Sequence, residues 1–164
     1  MLIGFATGAG LLVVGARAHK KALRIFAQGL IGAGISILYL SVSASFNFYH
    51  FVSQPVAFMM MSVVTVLAFS QAFKYDSRAV SLLGWAGGFL TPFLLSTGRA
   101  NEVGLFTYTA LLDIGLLTVV VKKDRWASLE PLTLLATWLI YEVWNESDYT
   151  PDKLGVTLVF VTLF

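Results

Sequence analysis

The fold is decided by residues 25–48, which read IFAQGLIGAGISILYLSVSASFNF, and by residues 52–73, which read VSQPVAFMMMSVVTVLAFSQAF. Neither stretch contains a Lys, Arg, Asp or Glu residue. The hydrocarbon core of a bilayer is roughly 30 Å thick, so an α-helix needs about 20 apolar residues to cross it. Each stretch is long enough, and together they predict two transmembrane helices joined by a short turn.

The composition of the whole chain is that of a membrane protein. Of its 164 residues, 57% are hydrophobic and 12% are charged, whereas about 25% charged residues are usual in a soluble domain. So few charges cannot cover the surface that a soluble chain of this length leaves exposed. The composition therefore argues against a soluble enzyme, a nucleic-acid-binding protein and a disordered tail. Because the chain has no cysteine, disulfides, thiolate metal sites and a cysteine nucleophile are excluded.

Charged residues divide the chain into seven apolar segments, which are residues 2–16, 25–48, 52–73, 79–97, 103–121, 129–144 and 154–164. The last segment has eleven residues, about half of what a span requires. We therefore predict an all-α, polytopic transmembrane helix bundle with six spans and a truncated seventh. Residues 1–164 are expected to form a single transmembrane helical domain and to be a fragment of a longer multi-pass protein.

The positions of the basic residues predict the orientation of the chain in the membrane. The connections 17–24, 74–78 and 122–128 hold nine of the eleven Lys and Arg residues. Under the positive-inside rule these connections face the cytoplasm, which places the N-terminus outside. A signal peptide is the alternative for residues 2–16. Signal peptides carry positive charge before the apolar run, whereas here the charge follows it.

Small and polar residues recur at helical spacing along three of the predicted helices. Such stripes let two helices approach closely in lipid, where burial of apolar surface gives no gain. They are equally typical of helices that line a polar cavity, and the sequence leaves both interpretations open. The stripes are Gly4, Gly8 and Gly15, then Gln28, Gly32, Ser36 and Ser43, then Ser81, Gly84, Gly88 and Thr91.

Asp113 is the most informative residue because it lies near the middle of the fifth apolar segment. An Asp at that depth costs about 2.5–3.5 kcal/mol on insertion scales and usually faces a protein interior or a water-filled path. Thr109 lies one helical turn earlier and is expected to donate a hydrogen bond to it. One interpretation is a proton or cation site. The other is a hydrogen-bonded clamp between helices.

Thr91 and Pro92 complete the set of intramembrane polar candidates, with Asp113 and Thr109. A proline inside a helix removes a backbone hydrogen bond, so Pro92 is expected to kink the fourth helix. Broken helices line binding sites in many transporters, although they also occur as plain packing features. Near the predicted outer surface, Glu142 and Glu146 form an acidic rim. We predict no catalytic residue, no metal site and no cofactor, because no motif for any of them is present.

Parts of the chain resemble the bacterial domain-of-unknown-function 2339 family. The resemblance implies a long bacterial protein with many spans, of which this chain is an internal piece located in the inner membrane. Since the family has no established activity, it assigns no role to any residue. It covers residues 16–141 and is carried by 28–41 (QGLIGAGISILYLS), 87–92 (GGFLTP), 95–98 (LSTG), 105–106 (LF), 111–115 (LLDIG) and the basic turn 122–126.

These observations predict an integral membrane protein of unknown activity that is not an enzyme. The leading interpretation is part of a transporter or channel for a small solute or ion. The alternative is a structural or scaffolding component of the cell envelope. A membrane-embedded enzyme acting on a lipid-linked substrate comes third, and it would need an outer acid such as Glu142. The expected partners are the lipid bilayer and the remaining helices of a longer chain, with no nucleic acid; a homo-oligomer is left open.

Overall fold

The computed structural model describes residues 2–21, 23–95, 102–122, 129–149 and 151–163, and apart from short turns these residues are helical. Within these ranges there is no strand, so the prediction of an all-α fold is confirmed. A short 3-10 turn at Pro151–Lys153 precedes the last helix. The helices are α1 (Leu2–Lys20), α2 (Arg24–Asn47), α3 (Gln54–Tyr75), α4 (Arg78–Leu94), α5 (Glu102–Lys122), α6 (Leu129–Asp148) and α7 (Leu154–Leu163).

Three of the described helices are long and apolar enough to cross a membrane, namely α1, α2 and α3. Helix α4 has 17 residues, and the apolar part of α5, Gly104–Leu117, is shorter than a full span. Length and composition therefore support three spans within the described residues. The count of six spans stays a prediction.

The first basic connection is shorter than the sequence indicates. Helix α1 continues to Lys20 and α2 begins at Arg24, so the expected loop 17–24 is a turn of three residues. The backbone N–H groups of Lys21 and Leu23 both donate to the carbonyl of Ala18, at 3.0 and 3.3 Å. These bonds close the end of α1, and they place most of the basic residues on helix ends rather than in a loop.

The chain forms two compact units, Met1–Ser96 and Thr97–Phe164. The first unit contains α1 to α4, and the second contains α5, α6 and α7. Each unit has its own packing and is described by itself. The single domain expected from the sequence stays a prediction.

Helices α1 and α2 pack through glycines, as the small-residue stripe of α1 indicates. A Cβ atom built at Gly8 would lie 2.8 Å from Cγ of Leu38 and 3.0 Å from the carbonyl oxygen of Gly34. One built at Gly15 would lie 2.7 Å from Cγ1 of Ile31. Since real side chains do not fit at these distances, glycine is what allows the two backbones to approach.

A buried hydrogen bond joins α2 to α3 at the centre of the first unit. The hydroxyls of Tyr39 and Thr65 lie 2.8 Å apart, and both side chains are buried. Because Thr65 donates its proton to the carbonyl of Met61 at 2.9 Å, Tyr39 is the donor between the two hydroxyls. The ring of Tyr39 also lies against Gly87 of α4. One tyrosine therefore contacts both neighbouring helices.

The small and polar stripe of α4 is a packing surface. Its members Ser81, Gly84, Gly88 and Thr91 are all buried. A Cβ atom at Gly84 would lie 3.0 Å from Cβ of Ala68 on α3. Thr91 donates to the carbonyl of Gly87 in its own helix at 2.7 Å. In this helix, close helix packing accounts for the stripe, and a polar cavity is not required.

The carboxyl end of α4 is capped by two side-chain amides from other helices. Pro92 lies inside α4, which ends two residues later at Leu94. Nδ2 of Asn47 donates to the carbonyl of Leu94 at 2.9 Å, and Nε2 of Gln54 donates to that of Leu95 at 2.8 Å. The last carbonyls of a helix have no partner within it, so these amides satisfy groups that lipid would leave unbonded. The predicted extension of this segment to residue 97 lies partly outside the described residues.

The glycine contacts between α1 and α2 predict a site-specific loss of stability. Replacement Gly8→Ala is expected to lower the free energy of unfolding by about 1–3 kcal/mol, because the added methyl overpacks the contact with Leu38. The matched control is Gly10→Ala in the same helix, where a Cβ atom meets nothing within 4 Å. That variant is expected to be neutral, or more stable by up to about 1 kcal/mol. Denaturant unfolding in detergent micelles measures both, and equal effects would contradict the packing account.

Candidate functional site

The second unit contains a cleft of about 570 Å³ between α5 and α6, closed on one side by Val161 of α7. Most of its surface is apolar, and a few polar side chains enter it. This combination is typical of small-molecule sites. None of the described lining residues is a Lys or Arg. The lining consists of Ala110, Asp113, Ile114, Leu116, Leu117, Val120, Glu130, Thr133, Leu134, Thr137, Trp138, Tyr141 and Val161.

Asp113 meets a threonine across the cleft. The hydroxyl of Thr137 on α6 donates to the carboxylate of Asp113 on α5, with Oγ1 at 3.1 Å from Oδ1 and 3.0 Å from Oδ2. Thr137 is buried, whereas Asp113 is half-buried. The threonine thus holds the carboxylate in place from the opposite helix, and it leaves acceptor capacity on both carboxylate oxygens.

The wall opposite Asp113 is a polar stripe along α6. Glu130, Thr133, Thr137 and Tyr141 follow one another at spacings of three, four and four residues, which places them on one face of a helix. All four line the cleft. This stripe is not among the predicted site residues, although its helical spacing is visible in the sequence.

The cleft extends from one end of α6 past the level of Asp113. Glu130 lies in the first turn of α6, and Tyr141 lies eleven residues further along. At 1.5 Å of rise per residue, the lined face is about 16 Å long. Asp113 is the twelfth of the 21 residues of α5, and therefore lies close to the middle of that helix. The cleft thus connects the middle of α5 with the end of the helix pair that carries Glu130.

Aromatic rings hold the other end of the second unit together. Phe106 of α5 is 1% exposed, and its ring centroid lies 5.0 Å from that of Trp144 on α6 and 5.0 Å from that of Phe160 on α7. Tyr141, which lines the cleft, lies 6.5 Å from the same ring. This cluster joins all three helices and forms the end of the cleft farthest from Glu130.

The hydrogen-bond partner expected for Asp113 is wrong. Thr109 is fully buried, but its hydroxyl donates to the carbonyl of Leu105 in its own helix at 3.0 Å. The hydroxyl of a threonine in a helix can reach the carbonyl four residues earlier. Thr109 donates to that carbonyl and not to the carboxylate of Asp113. The partner of Asp113 is Thr137, which lies 24 residues further along the chain.

The other predicted site residues lie away from the cleft lining. Thr91 and Pro92 are buried in the first unit, whereas Asp113 belongs to the second. Glu142 is half-buried and Glu146 is exposed. They lie one turn apart in α6, and neither is among the described lining residues of the cleft. Within the part of the chain that the structure describes, no three His, Asp or Glu side chains come together as they would to hold a metal ion.

Comparison with known proteins assigns the family. The model of a family of predicted membrane proteins, DUF2339, matches residues 1–164. The chain belongs to DUF2339. The match confirms the resemblance seen in the sequence and extends it over the whole chain, including the α5–α6 cleft. No curated protein and no solved structure matches. The family establishes a predicted membrane protein of unknown function, and it implies contact with a lipid bilayer.

The bond between Thr137 and Asp113 predicts an energetic coupling between α5 and α6 of this DUF2339 chain. A double-mutant cycle with Thr137→Val and Asp113→Leu is expected to give a coupling energy of about 0.6 kcal/mol, the average found for hydrogen bonds between membrane helices. The control cycle combines Thr133→Val with Asp113→Leu. The hydroxyl of Thr133 donates to the carbonyl of Leu129, so that cycle is expected to show no coupling. Unfolding in mixed micelles measures both cycles, and additive effects of Thr137→Val and Asp113→Leu would contradict the bond.

Proposed function

We propose that this chain is part of a transporter or channel and that the α5–α6 cleft binds a small solute or ion. The observation that carries the proposal is the carboxylate of Asp113, held by Thr137 inside a mostly apolar cleft. An isolated carboxylate in an apolar site attracts a cation or a proton, since either one neutralises its charge. No basic residue is among the described lining residues, so a cationic ligand would meet no opposing positive charge there.

The direction of the cleft supports this role. It runs from the level of Asp113 to the first turn of α6, where Glu130 is exposed. An acidic residue near the mouth and a second one deeper inside form a path that attracts cations. If the cleft were only a gap in the packing, nothing would require a polar residue at each helical turn along its α6 wall.

We also propose how the chain lies in the membrane. It has six spans in the bacterial inner membrane, with the N-terminus outside and residues 17–24, 74–78 and 122–128 on the cytoplasmic side. The support is the distribution of Lys and Arg, because nine of the eleven fall in these three ranges. In this orientation Glu130 and the end of the cleft that it lines face the cytoplasm.

A structural or scaffolding component of the cell envelope is the second candidate. The observation that favours it is the dense packing of the first unit, where glycines of α1 and α4 meet side chains of neighbouring helices. Under this alternative the bond between Asp113 and Thr137 serves only as a clamp, and the cleft is filled by lipid or by other helices.

The absence of cysteine from this sequence allows a direct test of water access. Asp113→Cys is made in a cysteine-free full-length protein and is treated with a membrane-impermeant maleimide in inside-out membrane vesicles, because the proposed orientation opens the cleft toward the cytoplasm. We expect it to be labelled much faster than Leu111→Cys, because Leu111 lies on α5 outside the cleft lining and is 64% exposed. Thr137→Cys on the opposite wall is expected to be labelled as well. If Asp113→Cys does not fold, Thr137→Cys carries the test.

No labelling at either cleft position in a folded protein would overturn the transport proposal and favour the scaffold. The same reagent tests the orientation in intact cells. There, Tyr49→Cys in the turn between α2 and α3 is expected to react, and Lys20→Cys is expected to be protected. The reverse pattern would contradict the proposed topology.

A further inference from the structure

All charged residues of the first unit are found at one end of its helices, which we call the basic end. Residues 1–96 contain six basic residues and one acidic residue. The remaining stretches of this unit, including both ends of the turn from α2 to α3, contain none. The residues of the basic end are Arg17, Lys20, Lys21, Arg24, Lys74, Asp76 and Arg78.

Two tight turns and one ring contact bring these residues together. The turn after Lys20 joins the end of α1 to the start of α2, and the turn at Asp76–Ser77 joins α3 to α4. The second turn is closed by the bond from the N–H of Ser77 to the carbonyl of Ala72 at 3.0 Å. The ring centroids of His19 on α1 and Tyr75 on α3 lie 4.5 Å apart. The two turns are therefore neighbours.

The basic side chains are available to a ligand. All six Lys and Arg residues of the basic end are exposed. Nζ of Lys74 lies 5.4 Å from the ring centroid of Tyr75. Helices α2 and α4 begin here, so their amino ends add partial positive charge. The single acid, Asp76, occupies the left-handed position that ends α3, with φ at 49°.

We propose that the basic end binds the phosphate of an anionic phospholipid headgroup in preference to a zwitterionic one. Because α1, α2 and α3 are each long enough to span the bilayer, their charged ends lie at the depth of the headgroups. Every phospholipid carries a phosphate at that depth, but only an anionic lipid keeps a net negative charge there, because its headgroup has no ammonium to balance the phosphate. Six basic side chains from four helix ends are matched by one acid, and Tyr75 supplies an aromatic ring of the kind enriched at this interface.

Native mass spectrometry of the full-length protein in detergent tests the proposal, with phosphatidylglycerol and phosphatidylcholine as probes. We expect wild type to retain phosphatidylglycerol preferentially. Arg17→Gln on α1 and Arg78→Gln on α4 are each expected to weaken that binding by about fivefold, because each removes one positive charge near the headgroup. Combining them is expected to weaken it further. Lys153→Gln in the second unit removes the same charge elsewhere and is expected to leave the binding unchanged.

Three results would overturn the proposal. The first is equal retention of the two lipids by wild type. The second is an effect of Lys153→Gln as large as those of Arg17→Gln and Arg78→Gln. The third is displacement of phosphatidylglycerol by excess inorganic phosphate. The last result would mean that a free anion, and not a lipid, is the ligand. Because the substituted arginines are exposed, unfolding temperatures of the variants are expected to match wild type, which separates lost binding from lost structure.

Discussion

The absence of water from the bilayer core is the constraint on which the rest of this structure depends. A polar backbone group that faces lipid must find its hydrogen-bond partner within the protein, and the same lack of water favours partners for polar side chains. Most hydroxyls do so within their own helix, as Thr91 and Thr133 do with carbonyls one turn earlier. Among the described residues, hydroxyl bonds also cross between helices, from Tyr39 to Thr65 in the first unit and from Thr137 to Asp113 in the second. Like the amides of Asn47 and Gln54 at the end of α4, these side chains tie helices together.

The two units meet this constraint in different ways. In the first unit, glycines remove side-chain volume where helices meet, and the polar end of α4 is capped by amides from α2 and α3. In the second unit, a Cβ atom at Gly115 or Gly155 would meet nothing within 4 Å, so these glycines do not bring helices together. Large aromatic rings join α5, α6 and α7 at one end, and beyond them a cleft lies between α5 and α6, bridged by the bond from Thr137 to Asp113. Close packing therefore describes the first unit, whereas the second has room for a ligand.

The sequence predicts the helices well because apolar runs of helical length are visible in it, and charged residues flank many of their ends. All seven helices, as the structure describes them, begin within two residues of the predicted segment and end within four of it, since apolar length is a local property. Asp113 was found for the same reason, because an acidic residue in an apolar run is visible without any structure. The small and polar stripe of α4 is also visible in the local spacing, but only the structure shows that it is a packing surface.

The partner of Asp113 could not be predicted, because it depends on the register between α5 and α6. From the sequence alone, a hydrogen-bond partner can be predicted only among neighbours in the same helix, and this selects Thr109 rather than Thr137. The amide caps from Asn47 and Gln54 were missed on similar grounds, since each reaches the end of a helix more than 40 residues away. The polar stripe from Glu130 to Tyr141 is different: its spacing is periodic, and it could have been recognised as one face of α6.

The most direct test of this account is a spin-label scan along α6, from residue 129 to residue 144, in the full-length protein in liposomes. Collision rates with a water-soluble nickel chelate and with oxygen report water and lipid at each position. The account predicts that nickel access peaks at positions 133, 137 and 141 with helical period, while oxygen access peaks at the exposed Leu135 and Leu139. Low nickel access at every position of a folded protein would contradict it, because the cleft beside Asp113 would then be dry.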